Sequence, residues 1–238
     1  MRLCAWRWLL LALPACGRCE FDAEPIDAMP DPSLIAHYRF DDDPLDGVLD
    51  STGNGHTGGC NTTCPVVETG KLGKAYRFNG TSDYIVVPDA SDLRPPSLTA
   101  SMWLFKTEAS GVDCLVSKLY GAVSLNSWQL VSDASGDLNI CTTGATSGRC
   151  DRTVANVVTA NRWHHIAYVH TGTDHVGYID GIEMVRATID ITYDTGRLLF
   201  GADIDNATEY CVLAGLMDDV RIYNRALAQT ELTELAKQ

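Results

Sequence analysis

From Leu34 onward the chain is a succession of short runs in which apolar and polar residues alternate, each run bounded by turn residues. LIAHYRF opens the series at Leu34. KAYRFNGTSDYIVV reads as a strand, a turn around Asn79-Gly80 and Ser82-Asp83, and a second strand. SLTASMWLFK alternates over Leu98, Ala100, Met102 and Leu104. SWQLVSDASGDLNICTT predicts a hairpin turning at Ser135-Gly136. RWHHIAYVHTGTDHVGYIDGIEMV carries two further turns, at Thr171-Gly172 and Asp180-Gly181. A period of two residues is that of a strand whose side chains point alternately to its two faces. Asn-Gly and Asp-Gly between such runs are hairpin signals. About a dozen strands, with a turn every ten or so residues, describe an all-β chain folded as an antiparallel two-sheet sandwich or jelly roll. No strand–helix–strand alternation appears, which argues against a parallel-sheet enzyme.

The last run differs from the others. In GLMDDVRIYNRALAQTELTEL, Met217, Val220, Ile222 and Tyr223 predict a strand opened by Asp218 and Asp219. It breaks at Asn224-Arg225, and Leu227, Leu232 and Leu235 then follow with helical spacing, so a short C-terminal helix closes the fold.

At 238 residues, 45% hydrophobic and 21% charged, the chain has material for a sizeable core. One domain over 34–238 is the simplest organisation. The net charge of -13 excludes nucleic acid as a partner, because no basic stripe is available to neutralise phosphates. An acidic surface suits neutral sugars or divalent cations.

Residues 1–15 read as a secretory signal: Arg2 and Arg7 flank the apolar run from Trp8 to Leu13, which is too short to span a bilayer. The run ends in Leu13-Pro14-Ala15-Cys16-Gly17, similar to the bacterial lipoprotein box, in which the cysteine is lipidated after cleavage. Pro14 departs from the commonest pattern. The expectation is a lipid on Cys16, an acidic Pro-rich tether over 16–33, and a protein held at the bacterial outer membrane or cell surface. The alternative is an ordinary signal cut nearby, with Cys16 or Cys19 as a structural thiol. No later segment is apolar over the ~18 residues a membrane span needs, so contact with a membrane would run only through the lipid.

Cysteine usage agrees with export. Beyond Cys4 and Cys16 the chain holds Cys19, Cys60, Cys64, Cys114, Cys141, Cys150 and Cys211, an odd set. Cys60–Cys64 and Cys141–Cys150 each flank a turn-rich loop and are the favoured pairs. Cys114–Cys211 would then be a long-range staple, with Cys19 left over. A zinc site is the competing reading, but neither close pair has the two-residue spacing of a zinc ribbon.

Six segments in this order resemble the laminin-G-like, concanavalin A-type jelly roll. They are HYRFDDD with DSTGNGHTG; GKLGKAYRFNGTSDYIVVP; the strand with Trp103; RWHHIAYVHTG; GYIDG; and GLMDDVRIYNRALAQTEL. The resemblance covers nearly all of 34–238 and implies the fold more than the ligand, because the superfamily includes lectins, adhesive modules and glycanases. The cysteine loops at 60–64 and 141–150 are departures from it.

The resemblance brings one catalytic pattern into view. Glu20-Phe21-Asp22-Ala23-Glu24 matches the ExDxE of β-glucanases on this sandwich, where strand alternation sends all three carboxylates into a cleft as a retaining pair with its helper. Here it runs into Pro25, inside the acidic tether and before the first strand, so no sheet sets its spacing. His164 and His165 fall on opposite faces of one strand and cannot share a metal; His170 and His175 flank the next turn. The chain is accordingly read as non-catalytic.

Calcium takes six to eight hard oxygens. Two acid-rich segments offer them, Asp41-Asp42-Asp43 with Asp50 to Asn54, and Asp218-Asp219. First and last strands commonly pair in the resembling fold, which would join the two segments. The resemblance thus implies a structural calcium with Asp50, Asn54 and Asp218 as leading ligands. The alternative is that these acids cap turns. For a sugar, Trp128 and Tyr120, near loops, are the candidate exposed rings; Trp103 and Trp163 read as core. The expected function is a carbohydrate-binding or adhesive module whose partner is a glycan or a cell-surface protein. A glycan-cleaving hydrolase and a structural envelope protein are the alternatives.

Overall fold

The computed structural model describes residues 31–238 except 108–110, 122–125, 144–147, 154–155 and 206. The signal, Cys16, Cys19, the ExDxE pattern and most of the tether lie outside the described residues. Pro32–Gln238 form one compact unit.

The first half of the chain forms β1 (Leu34–Tyr38), β2 (Gly59–Cys60), β3 (Val66–Thr69), β4 (Lys74–Asn79), β5 (Ile85–Val87), β6 (Leu98–Lys106) and β7 (Asp113–Leu119). Next come β8 (Asn126–Ser132), β9 (Leu138–Thr143), β10 (Gly148–Arg152), β11 (Trp163–His170), β12 (Asp174–Ile179) and β13 (Ile182–Thr188). The chain closes with β14 (Leu198–Phe200), β15 (Asp203–Asp205), β16 (Thr208–Tyr210), β17 (Ala214–Tyr223) and a helix, α1 (Gln229–Leu235).

Two antiparallel sheets result. An eight-stranded sheet runs β13-β12-β11-β6-β17-β4-β3, with β1 also paired to β17. A seven-stranded sheet runs β10-β9-β8-β7-β14-β5-β2, and β15 and β16 form a separate two-stranded ribbon. First and last strands do pair, Tyr38 opposite Val220 and His37 opposite Arg221.

The alternation seen in sequence decides which side chains meet between the sheets. Leu98, Ala100, Met102 and Leu104 of β6 join Ile166 and Tyr168 of β11 in one core with Val116, Trp128, Leu130, Leu138 and Ile140 from the other sheet. A second apolar cluster lies on the outside of the eight-stranded sheet, where Leu227 and Leu232 pack on Ala167, Val169, Val176, Tyr178 and Tyr223. Helix α1 therefore seals that face. The β12–β13 turn is of the tight mirror type: Asp180 and Gly181 have φ of 51° and 77°. Gly181 also touches the helix, since Thr233 lies 2.8 Å from where a Cβ would be.

Two expectations are corrected. The Asn79-Gly80 turn does not make a hairpin: β4 and β5 belong to different sheets, so the chain crosses the sandwich there. Asn79 Oδ1 accepts the backbone N–H of Thr81 and Ser82, which fixes the sharp bend. Asp218 and Asp219 do not open the last strand; they sit in its middle, at a bulge between Asp218 and Arg221 where Asp219 has φ of 52°.

Candidate ligand-binding groove

Among the described residues no helix covers the outer face of the seven-stranded sheet. On it lies a cavity of about 340 Å³, within the range of small-ligand sites. Two irregularities of pairing prepare its floor. Opposite Lys118 and Leu119 of β7, β8 offers Trp128 and Asn126, leaving Ser127 as the extra residue of a bulge. Simple alternation would send Asn126 inward with Trp128; the bulge turns it out beside Gln129. A second bulge, at Leu115 between Cys114 and Val116, brings Cys114 to the same face.

The β15–β16 ribbon forms one wall. Its Asp203 reaches down to the sheet, where Oδ2 accepts from Asn126 Nδ2 at 2.8 Å and from Gln129 Nε2 at 2.9 Å. Gln129 Nε2 also donates to Ser117 Oγ at 3.0 Å, and Asp203 Oδ1 takes the Ile204 N–H. Burial raises the Asp203 pKa above its ordinary value, against the lowering effect of the Asn126 bond. Among the described residues Asn126 Oδ1 is buried with no partner, as is Thr142 Oγ1, also in the cavity lining. Above this polar floor Tyr210 stands 58% exposed and Val112 44% exposed on the rim.

Disulfides hold both walls. Cys114–Cys211 ties the end of the ribbon to β7, and Cys141–Cys150 joins β9 to β10 across a directly opposed pair. Cys60–Cys64 closes the third loop. These are the three pairs favoured from the sequence. Such bridges persist in oxidising compartments, so the domain is that of an exported protein. Among the described residues no helix is long and apolar enough to cross a membrane.

The expected sugar-stacking rings lie elsewhere. Trp128 is corrected: it is 2% exposed and stacks on Tyr168 in the core, 5.4 Å between centroids, so it offers no face to a ligand. Its parity with Leu130 in β8 carried that information. Tyr120 is half-buried just past β7 and does not line the groove. Trp103 is buried as expected, edge-on to His165 at 5.3 Å, with Lys71 Nζ over its ring at 4.4 Å. His164 turns to the other side and meets Asp180 at 3.0 Å. Burial holds the His165 pKa down at about 4.

The expected calcium ligands Asp50, Asn54 and Asp218 each make hydrogen bonds within the protein. Asp50 Oδ1 accepts the His37 and Thr52 N–H groups at 3.0 Å each, and Oδ2 the His56 N–H at 3.2 Å. Both oxygens thus face donor hydrogens, in the manner of a turn cap. Asn54 donates its amide to the Ile35 carbonyl at 2.9 Å. Asp218 serves a different loop: Oδ2 accepts from Lys71 and Leu72 N–H at 2.9 and 2.8 Å, while Oδ1 is buried without a partner. Burial, with Asp219 and Asp41 nearby, pushes its pKa up to about 7. Among the described residues no three His, Cys, Asp or Glu side chains gather where they could hold a metal ion.

The architecture has known counterparts. Residues 79–233 match the family model of the concanavalin A-like lectin/glucanases superfamily, and the chain belongs to it. Among curated proteins none matches the chain. Domain 4 of AbnA, a GH43 extracellular arabinanase from Geobacillus stearothermophilus solved with arabinotriose, superposes with a TM-score of 0.69 at 22% identity. That match covers 86% of this chain and 98% of the domain. The binding domain of Paraclostridial Mosquitocidal Protein 1 gives a TM-score of 0.67 at 17% identity, over 86% of this chain and 52% of that one. The binding domain of botulinum neurotoxin DC, solved with rat synaptotagmin II, gives 0.63 at 10% identity, over 86% and 51%. The chain thus spans about half the length of these two toxin domains. At such identities the likeness is one of fold.

Proposed function

We propose that the protein is a non-catalytic binding module of the cell exterior that holds a carbohydrate in the groove on the outer face of the seven-stranded sheet. The observation that carries this reading is the joining, in one cavity, of a polar floor (Asn126, Gln129, Asp203) with the exposed ring of Tyr210. A sugar ring presents hydroxyls around its edge and apolar C–H groups on its face, and these two surfaces complement it. The AbnA domain, which shares the fold, is a precedent for arabinose-containing ligands. A non-catalytic role is supported by the engagement of Asp203, whose Oδ2 holds two amide donors and whose Oδ1 holds a backbone N–H, so neither oxygen stands ready to move a proton. The tether and Cys16 add a lipid anchor to the proposal; Cys16→Ser is expected to shift the protein from the membrane to the soluble fraction.

A glycan array, run with and without a chelator, tests the binding reading. Glycan binding is expected, weakened by Tyr210→Ala and unaffected by the chelator, since the expected calcium ligands are otherwise engaged. Loss of the Tyr210 ring is expected to cost about 1 kcal/mol of affinity. Release of reducing sugar, or silence across the array alongside capture of a protein ligand, would contradict it.

A further inference from the structure

We infer that Cys141–Cys150 is a thiol-exchange site, opened at Cys150 Sγ by a small dithiol that enters from the groove, while the other two bridges are structural. The inference is independent of which ligand the groove holds. It starts from the unequal settings of three bonds of one chemical kind. Of the six bonded cysteines Cys150 alone is exposed. Cys141 stands on the outer face between Gln129 and Cys150, and both cysteines line the cavity of about 340 Å³. Among the described residues no strand pairs with the outer edge of β10. The other bridges are harder to reach. Cys114 is 1% exposed, Gln129 Nε2 lies 3.2 Å from its sulfur, and its partner Cys211 is half-buried. Cys60 packs against the main core, and Cys64 is half-buried too. Exchange needs a thiolate to reach one sulfur of the bond, so access decides which bridge opens first.

A thiolate of the dithiol attacks Cys150 Sγ and forms a mixed disulfide. The Cys141–Cys150 bond breaks, and Cys141 Sγ leaves with the electron pair and takes up a proton. The second thiol of the dithiol loses its proton, attacks the dithiol's own sulfur in the mixed disulfide, and releases Cys150 in the same way. The dithiol ends as a disulfide and the bridge as two thiols, two electrons having passed. Strand β10 keeps other ties. Its ladder to β9 runs from Gly148 opposite Thr143 to Arg152 opposite Asn139. His175 Nε2 also meets Asp151 Oδ2 at 3.2 Å. The bridge spans 9 residues against 97 for Cys114–Cys211, so it constrains the unfolded chain less. Opening it therefore leaves the sandwich folded, with two thiols in the groove wall.

The test exposes the purified, oxidised protein to graded dithiothreitol and quenches samples with acid. Free thiols are then alkylated and located by peptide mass spectrometry, with circular dichroism recorded in parallel. Cys141 and Cys150 are expected to be labelled together, about tenfold or more faster than any of the other four, while the spectrum of the fold is retained. Brief exposure to glutathione, a monothiol that lacks the second step, is expected to leave its adduct on Cys150 rather than Cys141. The double variant Cys141→Ser, Cys150→Ser is expected to fold and to lose the fast phase alone. Three results would overturn the inference: another bridge opening first or at the same rate, an adduct on Cys141, or labelling that appears only as the fold is lost. None of these readouts involves a glycan, so they leave the binding reading to its own test.

Discussion

The two outer faces of the sandwich are built by the same alternation and put to opposite uses. On the eight-stranded sheet the outward residues of β11 and β12 include Ala167, Val169, Val176 and Tyr178, and α1 lands on them with Leu227 and Leu232. On the seven-stranded sheet the outward residues include Ser117, Asn126, Gln129 and Cys141, with the β15–β16 ribbon standing beside them and the cavity left open. An apolar outward stripe calls for a cover, since exposed apolar area is costly. A polar outward stripe with its own hydrogen bonds can stay wet and wait for a ligand. Stability rests on the covered face, and the proposed recognition on the open one.

The largest expected effect would break that division at its one shared part. Cys114–Cys211 closes a loop of 97 residues and also anchors the ribbon that carries Asp203. Replacing both cysteines by serine is expected to cost about 4 kcal/mol in denaturant unfolding and to lower ligand affinity as well. Loss of stability with unchanged affinity would show that the ribbon positions itself without the staple.

Leu232→Ala sharpens the contrast from the other side. The residue is fully buried between α1 and the sheet, and truncation is expected to cost about 2–4 kcal/mol by chemical denaturation. Affinity measured well below the melting point should not change. A parallel fall in affinity would mean that the two faces are coupled through the core.

The smallest effect is one of pH. Burial raises the folded-state pKa of Asp203 above its ordinary value, so on acidification the carboxylate takes up its proton earlier than a free aspartate. Affinity is then expected to fall as pH drops through that raised value, and the profile of Asp203→Asn should be flat over the same range. The sign for stability is opposite. A raised carboxylate pKa contributes stability that is fully present below the unfolded-state value and lost as pH rises through the folded one. An affinity that fell at rising pH instead would contradict the role given to the ionised carboxylate.

The sandwich was legible in the sequence because its signals are local: period-two runs, the Asp180-Gly181 turn, and leucines spaced for a closing helix after Asn224. The disulfide partners were legible for a related reason, since two pairs flank short loops and leave Cys114 and Cys211 for the third, with Cys19 over. The groove was not. Asn126 and Trp128 have the same parity in β8, and only the extra residue at Ser127 separates their faces; pattern counting cannot see a bulge whose cause lies on the neighbouring strand. Asp203 is distant in sequence from Asn126 and Gln129, and nothing near it marks a partner. The acid-rich turns show the converse. Asp50 and Asp218 have the composition of a cation site, but backbone N–H groups of nearby loops take up three of their four carboxylate oxygens.

The proposed glycan site is the open face, with Asn126 and Gln129 on its floor. The most direct measurement follows the side-chain amide resonances of these two residues by NMR while the tightest ligand from the glycan array is added. Both amides are expected to shift with ligand, in step with Tyr210 on the rim, while the signals of α1 stay in place. Saturable binding that leaves the Asn126 and Gln129 amides unmoved would put the ligand elsewhere and contradict the account.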